Sequence, residues 1–372
     1  MANRAKKPIS PRKRGSPKSS PPDLRIRGPG CARDPGTDSP MLPQPAVFLL
    51  DYPLAIGYIM LNGGFLPLNP LLPLFSLAEL LMHPIYGLSL AALLALAAVP
   101  GRGAGLSAPV RVMTWNIRFD NPADGPDAWP LRREFVQSLL RYHRPEVIGI
   151  QEGLIHQVRE IAAGLDGYAW CGGGRDDGRE AGELCAVFYD SARFDPLENG
   201  TFWLSPTPER PSRGWDAELN RICTWARLRD RRTGARFCVF NTHLDHRGVA
   251  AREESARLLR ERIGFLAGDD PALLIGDFNA RPEEAPHAVL TAPQGSGPAL
   301  CDAWVAPERG RHGPSATFSG FDATRGIVGH RIDWILVCSN VRVLRHAILT
   351  DFRDGARFPS DHLPVVADVV LP

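Results

Sequence analysis

Six short motifs in the last part of this chain each end on a carboxylate, an asparagine or a histidine at the edge of an apolar run. They read TWN (Thr114 to Asn116), GIQEG (Gly149 to Gly153), NTHLDH (Asn241 to His246), GDFNA (Gly276 to Ala280), RIDWIL (Arg331 to Leu336) and SDHLP (Ser360 to Pro364). Apolar strands gain nothing from a buried acid. Such a group is costly in a protein interior unless it is paired, hydrogen-bonded or holding a metal. Several strands that each deliver one such group therefore converge on one site.

The chain of 372 residues changes character along its length. Residues 1–45 are rich in Pro, Ser, Arg and Lys and poor in aromatics, so they read as a disordered extension. Residues 46–108 are mostly apolar, and residues 109–372 alternate apolar runs with Gly, Pro and Asp as a globular α/β domain does. Within the apolar region, Ile85 to Val99 is an uncharged run of about 22 Å as a helix, short of the ~30 Å hydrocarbon core. Small residues follow it (Gly101, Gly103, Ala104). Residues 82–108 are therefore expected to be a signal peptide, with Met82 as the true start and an exported mature protein. The alternative is an anchor formed by parts of 46–99, although Asp51, Pro53, Pro67, Pro70, Pro73, Glu79 and Pro84 interrupt it.

The formal charge of +2 hides an asymmetry. Taking the 11 basic and 5 acidic residues of 1–108 from the totals of 43 and 41 leaves 32 and 36 in residues 109–372, a net of −4 with no lysine. A domain that works on long nucleic acid usually carries a basic stripe, and the balance here favours small phosphodiesters or short single strands over long duplexes. Cys171, Cys185, Cys223, Cys238, Cys301 and Cys338 contain no CxxC pair, which argues against a zinc ribbon. Cys185, Cys238 and Cys338 read as small apolar strand residues, and pairing among the six stays open.

Apolar spacing predicts strands at 110–116, 146–151, 184–189, 223–229, 236–241, 272–275, 332–337 and 365–370. It predicts helices around 131–140, 155–165 and 248–266, and the Gly- and Asp-rich stretch 171–182 reads as a loop. Some neighbouring strands are joined by tight turns and others by helices. The expected fold is α/β, two packed mostly antiparallel sheets flanked by helices in four layers.

The residues at the strand ends suit metal-assisted phosphate ester hydrolysis, which needs a Lewis acid, an activated water and a way to calm the leaving oxygen. Glu152, Asp361 and Asp277 offer hard oxygen ligands for Mg²⁺, with Mn²⁺ as a substitute. Asn116 and Asn279 can orient water or phosphate oxygens. His362 beside Asp361 needs a carboxylate partner, and Asp333 is the natural one. Arg221 is either a phosphate contact or a surface salt bridge. His246, Asp245 and His330 are weaker candidates. Trp115, Trp225 and Trp334 fit a core or rim better than a base-stacking platform.

Together the motifs resemble the endonuclease/exonuclease/phosphatase superfamily over residues 109–372, in the family's order. The resemblance implies that Asn116 supports the site and Glu152 binds the metal. It implies that Asp277 and Asn279 handle water and phosphate, and that Asp333 pairs with His362, with Asp361 at or near the metal. His243 would face the phosphate or leaving group. Glu183, in GEL before a strand, is the nearest match to the acid that pairs with that histidine in the deoxyribonuclease branch. Arg118 stands where the abasic-endonuclease branch has an acid, and His243 stands in place of that branch's tyrosine, so abasic-site repair is disfavoured. The opening NIRFDNPADGPDAW, with Arg132 and Arg133 after it, is similar to a bacterial group nearest the deadenylase-type branch. The rival readings are a small phosphodiesterase or phosphatase acting on lipid or sugar phosphate, and a deadenylase-like exonuclease or an endonuclease on RNA or DNA. A catalytically silent binding module is the reading from another class, and no motif residue has been lost that would mark it. No obligate protein partner is evident, and a monomer is expected.

The mature N terminus is expected between about Gly101 and Pro109. Mass spectrometry of the native protein checks this, and a stable processed product beginning upstream of Met82 would exclude it.

Overall fold

The computed structural model describes residues 58–61, 64–67, 108–293, 297–305 and 307–372. The chain divides into two units, Met1–Ala92 and Leu93–Pro372. In the first, strands β1 (Tyr58–Leu61) and β2 (Gly64–Pro67) pair as an antiparallel hairpin. The proposed signal segment lies almost wholly outside the described residues. Among those described, no helix is long and apolar enough to cross a membrane.

The second unit holds two sheets. One has seven strands: β3 (Val110–Asn116), β4 (Val147–Gly153), β5 (Tyr168–Cys171), β6 (Leu184–Asp190), β12 (Arg311–His312), β14 (Arg342–Ile348) and β15 (Val365–Val370), in the order β12-β14-β15-β3-β4-β6-β5. The other has six: β7 (Phe194–Trp203), β8 (Ile222–Asp230), β9 (Arg236–His243), β10 (Ala272–Asp277), β11 (Leu300–Asp302) and β13 (Asp333–Cys338), in the order β11-β13-β10-β9-β8-β7. Three pairs are parallel, β3/β4, β9/β10 and β12/β14, and the remaining pairs are antiparallel.

Helices α1 (Trp129–His143) and α2 (Ile155–Ala163) cover the seven-stranded sheet, and α3 (Val249–Ala267) and α4 (Ala285–Thr291) cover the six-stranded one. The expected four-layer α/β sandwich is what forms. The alternation of each central strand explains it. In β9, Phe237 and Val239 face the space between the sheets, while Cys238 and Phe240 face α3. Strands β10 and β13 divide in the same way, Leu273 and Ile275 from Leu274, Ile335 and Val337 from Trp334 and Leu336. Strands buried on both faces read as unbroken apolar runs, which is why these were visible in the sequence.

Strands β5, β7, β11, β12 and β14 and helix α4 were not expected from the sequence. Strand β7 is an edge strand whose middle is exposed and which carries Pro196 at an irregularity between Pro196 and Glu198. Proline and polar residues are tolerated only at such an edge. The six cysteines after residue 109 are all free; Cys185, Cys223 and Cys238 are buried, whereas Cys338, read as buried, is only half-buried.

The two sheets come close together at Gly149 of β4, where an added Cβ would lie 2.6 Å from Ile275 Cδ1 and 2.8 Å from Asn241 Cγ. Asn241 of β9 reaches across that gap. Its Nδ2 donates to Ile150 O at 3.0 Å and Ala186 O at 2.9 Å, and its Oδ1 accepts from Gln151 Nε2 at 2.6 Å. The β4/β6 ladder breaks between Ile150 and Gly153, and a carbonyl freed by such a break needs another donor. Asn241→Ala removes that donor and is expected to destabilise the fold by at least about 2 kcal/mol, since each buried unpaired group costs roughly 1–3 kcal/mol. Urea denaturation checks this, and a loss below about 0.5 kcal/mol would refute it.

Candidate active site

Strand register assembles half of the site. In the six-stranded sheet Asp277 lies opposite His243 on one neighbour and opposite Asp333 on the other, so three motifs become one row across β9, β10 and β13. The seven-stranded sheet supplies the facing groups: Asn116 at the end of β3, Glu152 within the break in β4, and His362 just before β15. Glu152 has φ 62, a left-handed conformation that a non-glycine residue adopts only under constraint, and Asn279 has φ 46.

Asn116 is the hub. Its Nδ2 lies 3.0 Å from Glu152 Oε1, 3.0 Å from Asp277 Oδ2 and 3.5 Å from His362 Nε2. Its Oδ1 accepts from Arg118 N at 3.0 Å, and its carbonyl accepts from Ser360 Oγ at 2.7 Å. Glu152 Oε2 accepts from Phe119 N at 3.1 Å. His362 Nδ1 lies 3.0 and 3.2 Å from the two oxygens of Asp333, the partner expected from sequence. Its Nε2 lies 3.7 Å from Asp277 Oδ2. Asn279 closes a turn by donating its backbone N–H to Asp277 Oδ1 at 2.9 Å. Its Nδ2 donates to Leu244 O and lies 3.0 Å from His243 Nε2.

Burial sets the electrostatics. Asp277 is pushed up to about 7, first by burial and then by the charge of Asp333. Burial opposes a charge on His362, but Asp333 and Asp277 outweigh it and hold the ring well above the usual histidine value. Burial, with Arg221 and His362 adding to it, holds His243 well below that value, so this ring is neutral. Asp361 is raised by burial, and the Glu152 charge adds to this while His362 opposes it. Buried histidine and carboxylate pulled in opposite directions are a recurring feature of catalytic sites.

The donor set fits a hard divalent cation. The Glu152 charge raises the cost of ionising Asp361, and a cation between the two carboxylates would relieve it. Asp277, Asp333 and His362 offer donor atoms within 4.8 Å of one another, but both oxygens of Asp333 already face His362. That trio is better explained as a buried dyad facing Asp277 than as a metal cage.

Two expectations change. Glu183 does not pair with a histidine. It lies 2.5 Å from Arg175 Nη1, while the partners of His243 are Asn279 and Asp277. Arg221 makes no surface salt bridge: it is buried, with Nε 3.2 Å from Asp245 and Nη2 2.8 Å from His246 Nδ1. Asp245 and His246 thus anchor Arg221. His330 is exposed, and its carbonyl accepts from Thr317 N. Trp115 and Trp334 are fully buried and Trp225 partly so, as core residues.

One residue had no assigned role in the sequence. Arg132 of α1 is completely buried between Trp129 and Phe321. It donates to the carbonyls of Asp127, Ile117, Arg118 and Pro359, tying the loop after Asn116 to the segment before Ser360. One member of the adjacent pair Arg132 and Arg133 in an amphipathic helix gives no signal that marks it as the buried one.

A search among known proteins agrees with this geometry. The Endonuclease/Exonuclease/phosphatase family model matches residues 113–362. A solved structure of a Bacteroides thetaiotaomicron protein described as a mannosyl-6-phosphatase is 38% identical, with a TM-score of 0.67 over 70% of this chain and all of that one. Nocturnin of Drosophila melanogaster is 26% identical over 70% of this chain, which spans about half (47%) of that relative. The 3'-5'-exoribonuclease subunit Ccr4 of Emericella nidulans is 29% identical over 137 residues, 32% of this chain and 20% of that protein. The match spans most of the globular part and includes every motif from Asn116 to His362: the chain belongs to the Endonuclease/Exonuclease/phosphatase family.

Proposed function

We propose that the protein is a Mg²⁺-dependent hydrolase of small phosphate esters, with Mn²⁺ as a substitute. The observation that carries the reading is the row His243–Asp277–Asp333 facing Asn116, Glu152 and His362 from the other sheet. Glu152 and Asp361 would hold the metal, which supplies a Lewis acid for the phosphoryl oxygens. Asp277, raised toward neutrality, takes a proton from water that the Asn279 turn helps to place. His362, kept protonated by Asp333, presents a fixed positive charge to the developing phosphate oxygens. His243, neutral, offers its ring as a hydrogen-bonding partner for the leaving oxygen.

The net charge of −4 in residues 109–372 and the 38% identity to a protein described as a mannosyl-6-phosphatase support a small substrate. The match to Ccr4 supports a second reading, a nuclease acting on single strands. A panel of sugar phosphates, inositol phosphates, nucleotides, RNA and DNA with Mg²⁺ or Mn²⁺ separates the two. Export behind the 82–108 segment belongs to the same proposal.

Glu152→Gln removes one charge at nearly constant shape. It is expected to abolish metal-dependent turnover and weaken Mg²⁺ binding in calorimetry, while the fold persists. Unchanged Mg²⁺ affinity would remove Glu152 from the metal site.

His362→Ala is expected to lower kcat by at least about 10²-fold. Asp333→Asn should cost less, and almost nothing in the His362→Ala background, because it acts through that ring. Effects that multiply in the double variant would break the dyad.

A further inference from the structure

Beside the reacting groups, on the His243 side, lies a recess walled by Glu152, Arg175, Glu183, Asn220, Arg221 and His243. Its floor is apolar, from β6 and β8. Arg175 and Glu183 belong to the 171–183 loop and are paired with side chains only 13% and 15% exposed. That loop is a braced hairpin. Gly174 N, Arg175 N and Asp176 N donate to Arg179 O, Glu183 O and Ala181 O, each at 3.0 Å, and the Asp177 carboxylate holds Arg179 N and Ala181 N. Trp203 Nε1 fastens it from outside by donating to Arg175 O at 2.7 Å, and Asn220 Nδ2 does so at 3.4 Å. Arg221 is fixed on Asp245 and His246. Neither arginine is free to swing, so the recess is preorganised.

Three properties restrict what enters it. Its free volume is about 10 Å³, the space of one water-sized group. Arg175 is paired with Glu183 and Arg221 with Asp245, so neither guanidinium is left free for a second phosphate. No Phe, Tyr or Trp stands in its walls and the ring of His243 is already held by Asn279, so a nucleobase finds no broad platform to stack on. An ionised phosphate oxygen only accepts hydrogen bonds and would meet the Glu183 carboxylate. A hydroxyl both donates and accepts, and this suits a recess that pairs a guanidinium with a carboxylate.

We propose that this recess reads one hydroxyl on the alcohol side of the scissile ester, so that the substrate is a phosphorylated sugar or polyol. The inference rests on the phosphoester hydrolase reading and specifies the substrate class of that same site. Arg175 donates to the hydroxyl oxygen and Glu183 accepts a hydrogen bond from its O–H, with Asn220 completing the contact. These are specificity-determining residues, since the site loses binding to a substrate that leaves such buried groups unmatched.

The experiment uses the full chain with Mn²⁺, hexose 6-phosphates and their single-deoxy analogues, a hexose bisphosphate, 5'-AMP and p-nitrophenyl phosphate. Arg175→Met, Glu183→Gln and Asn220→Ala are expected to raise KM for the preferred hexose phosphate by about tenfold or more, with kcat changing less. The loss in kcat/KM toward p-nitrophenyl phosphate, which has no hydroxyl to place, should be several times smaller. One deoxy analogue should reproduce the loss on the unaltered enzyme and show no further loss with Glu183→Gln. That analogue comparison decides the matter even where a variant fails to fold. Equal losses on both substrates, equal turnover of every deoxy analogue, or a preference for 5'-AMP or the bisphosphate would overturn the proposal. Loss of the parent reading is distinct: no metal-dependent turnover of any ester, p-nitrophenyl phosphate included, would overturn both.

Discussion

The side-chain amide of Asn241 is the interaction on which the rest of the molecule depends. Two sheets that pack face to face are held by apolar contact, which has no direction and fixes no register between them. One buried amide making three directed hydrogen bonds does fix it. It does so where the β4/β6 ladder breaks, and it turns that break from an unsatisfied backbone into a structural feature. The break in turn carries Glu152 into its left-handed conformation and toward Asn116. Two neighbours in one motif thus divide the work: Asn241 aligns the sheets, and His243, two residues on along the same strand, enters the site.

Much of this was legible in the sequence because the central strands are buried on both faces and end on polar residues. The row of His243, Asp277 and Asp333 and the Asp333–His362 pair follow from motifs that a reader can find without coordinates. The legible part stops where the information is not local. Strands β7 and β14 lie near or at sheet edges and carry polar residues, so their pattern is diluted. Arg132 shows its role only when distant carbonyls from residues 117 and 359 arrive beside it. Glu183 was misread for the same reason. Its position before a strand fitted a histidine partner, but the hairpin turn through Gly178 brings Arg175 of the same loop within 2.5 Å.

Arg132, Arg193, Arg221 and Arg331 are each nearly or fully buried, and each binds through several nitrogens at once. Arg193 spans Asp230, Glu146 and the carbonyls of Ala108 and Pro109, while Arg331 forks onto Asp302. A lysine could satisfy none of these arrangements, since it presents a point charge rather than a planar fork. The absence of lysine from residues 109–372 is in keeping with a domain that uses its cations as internal braces.

The reacting groups stand on strand ends locked by cross-sheet hydrogen bonds, whereas the recess beside them is walled mainly by the loops around Arg175 and Asn220. On the proposed reading, the recess shares Glu152 and His243 with the bond-breaking machinery, while Arg175, Glu183 and Asn220, which read the substrate, stand on a separate part of the chain. A lineage can rebuild the 171–183 hairpin and acquire a new diet without disturbing the register that makes hydrolysis work.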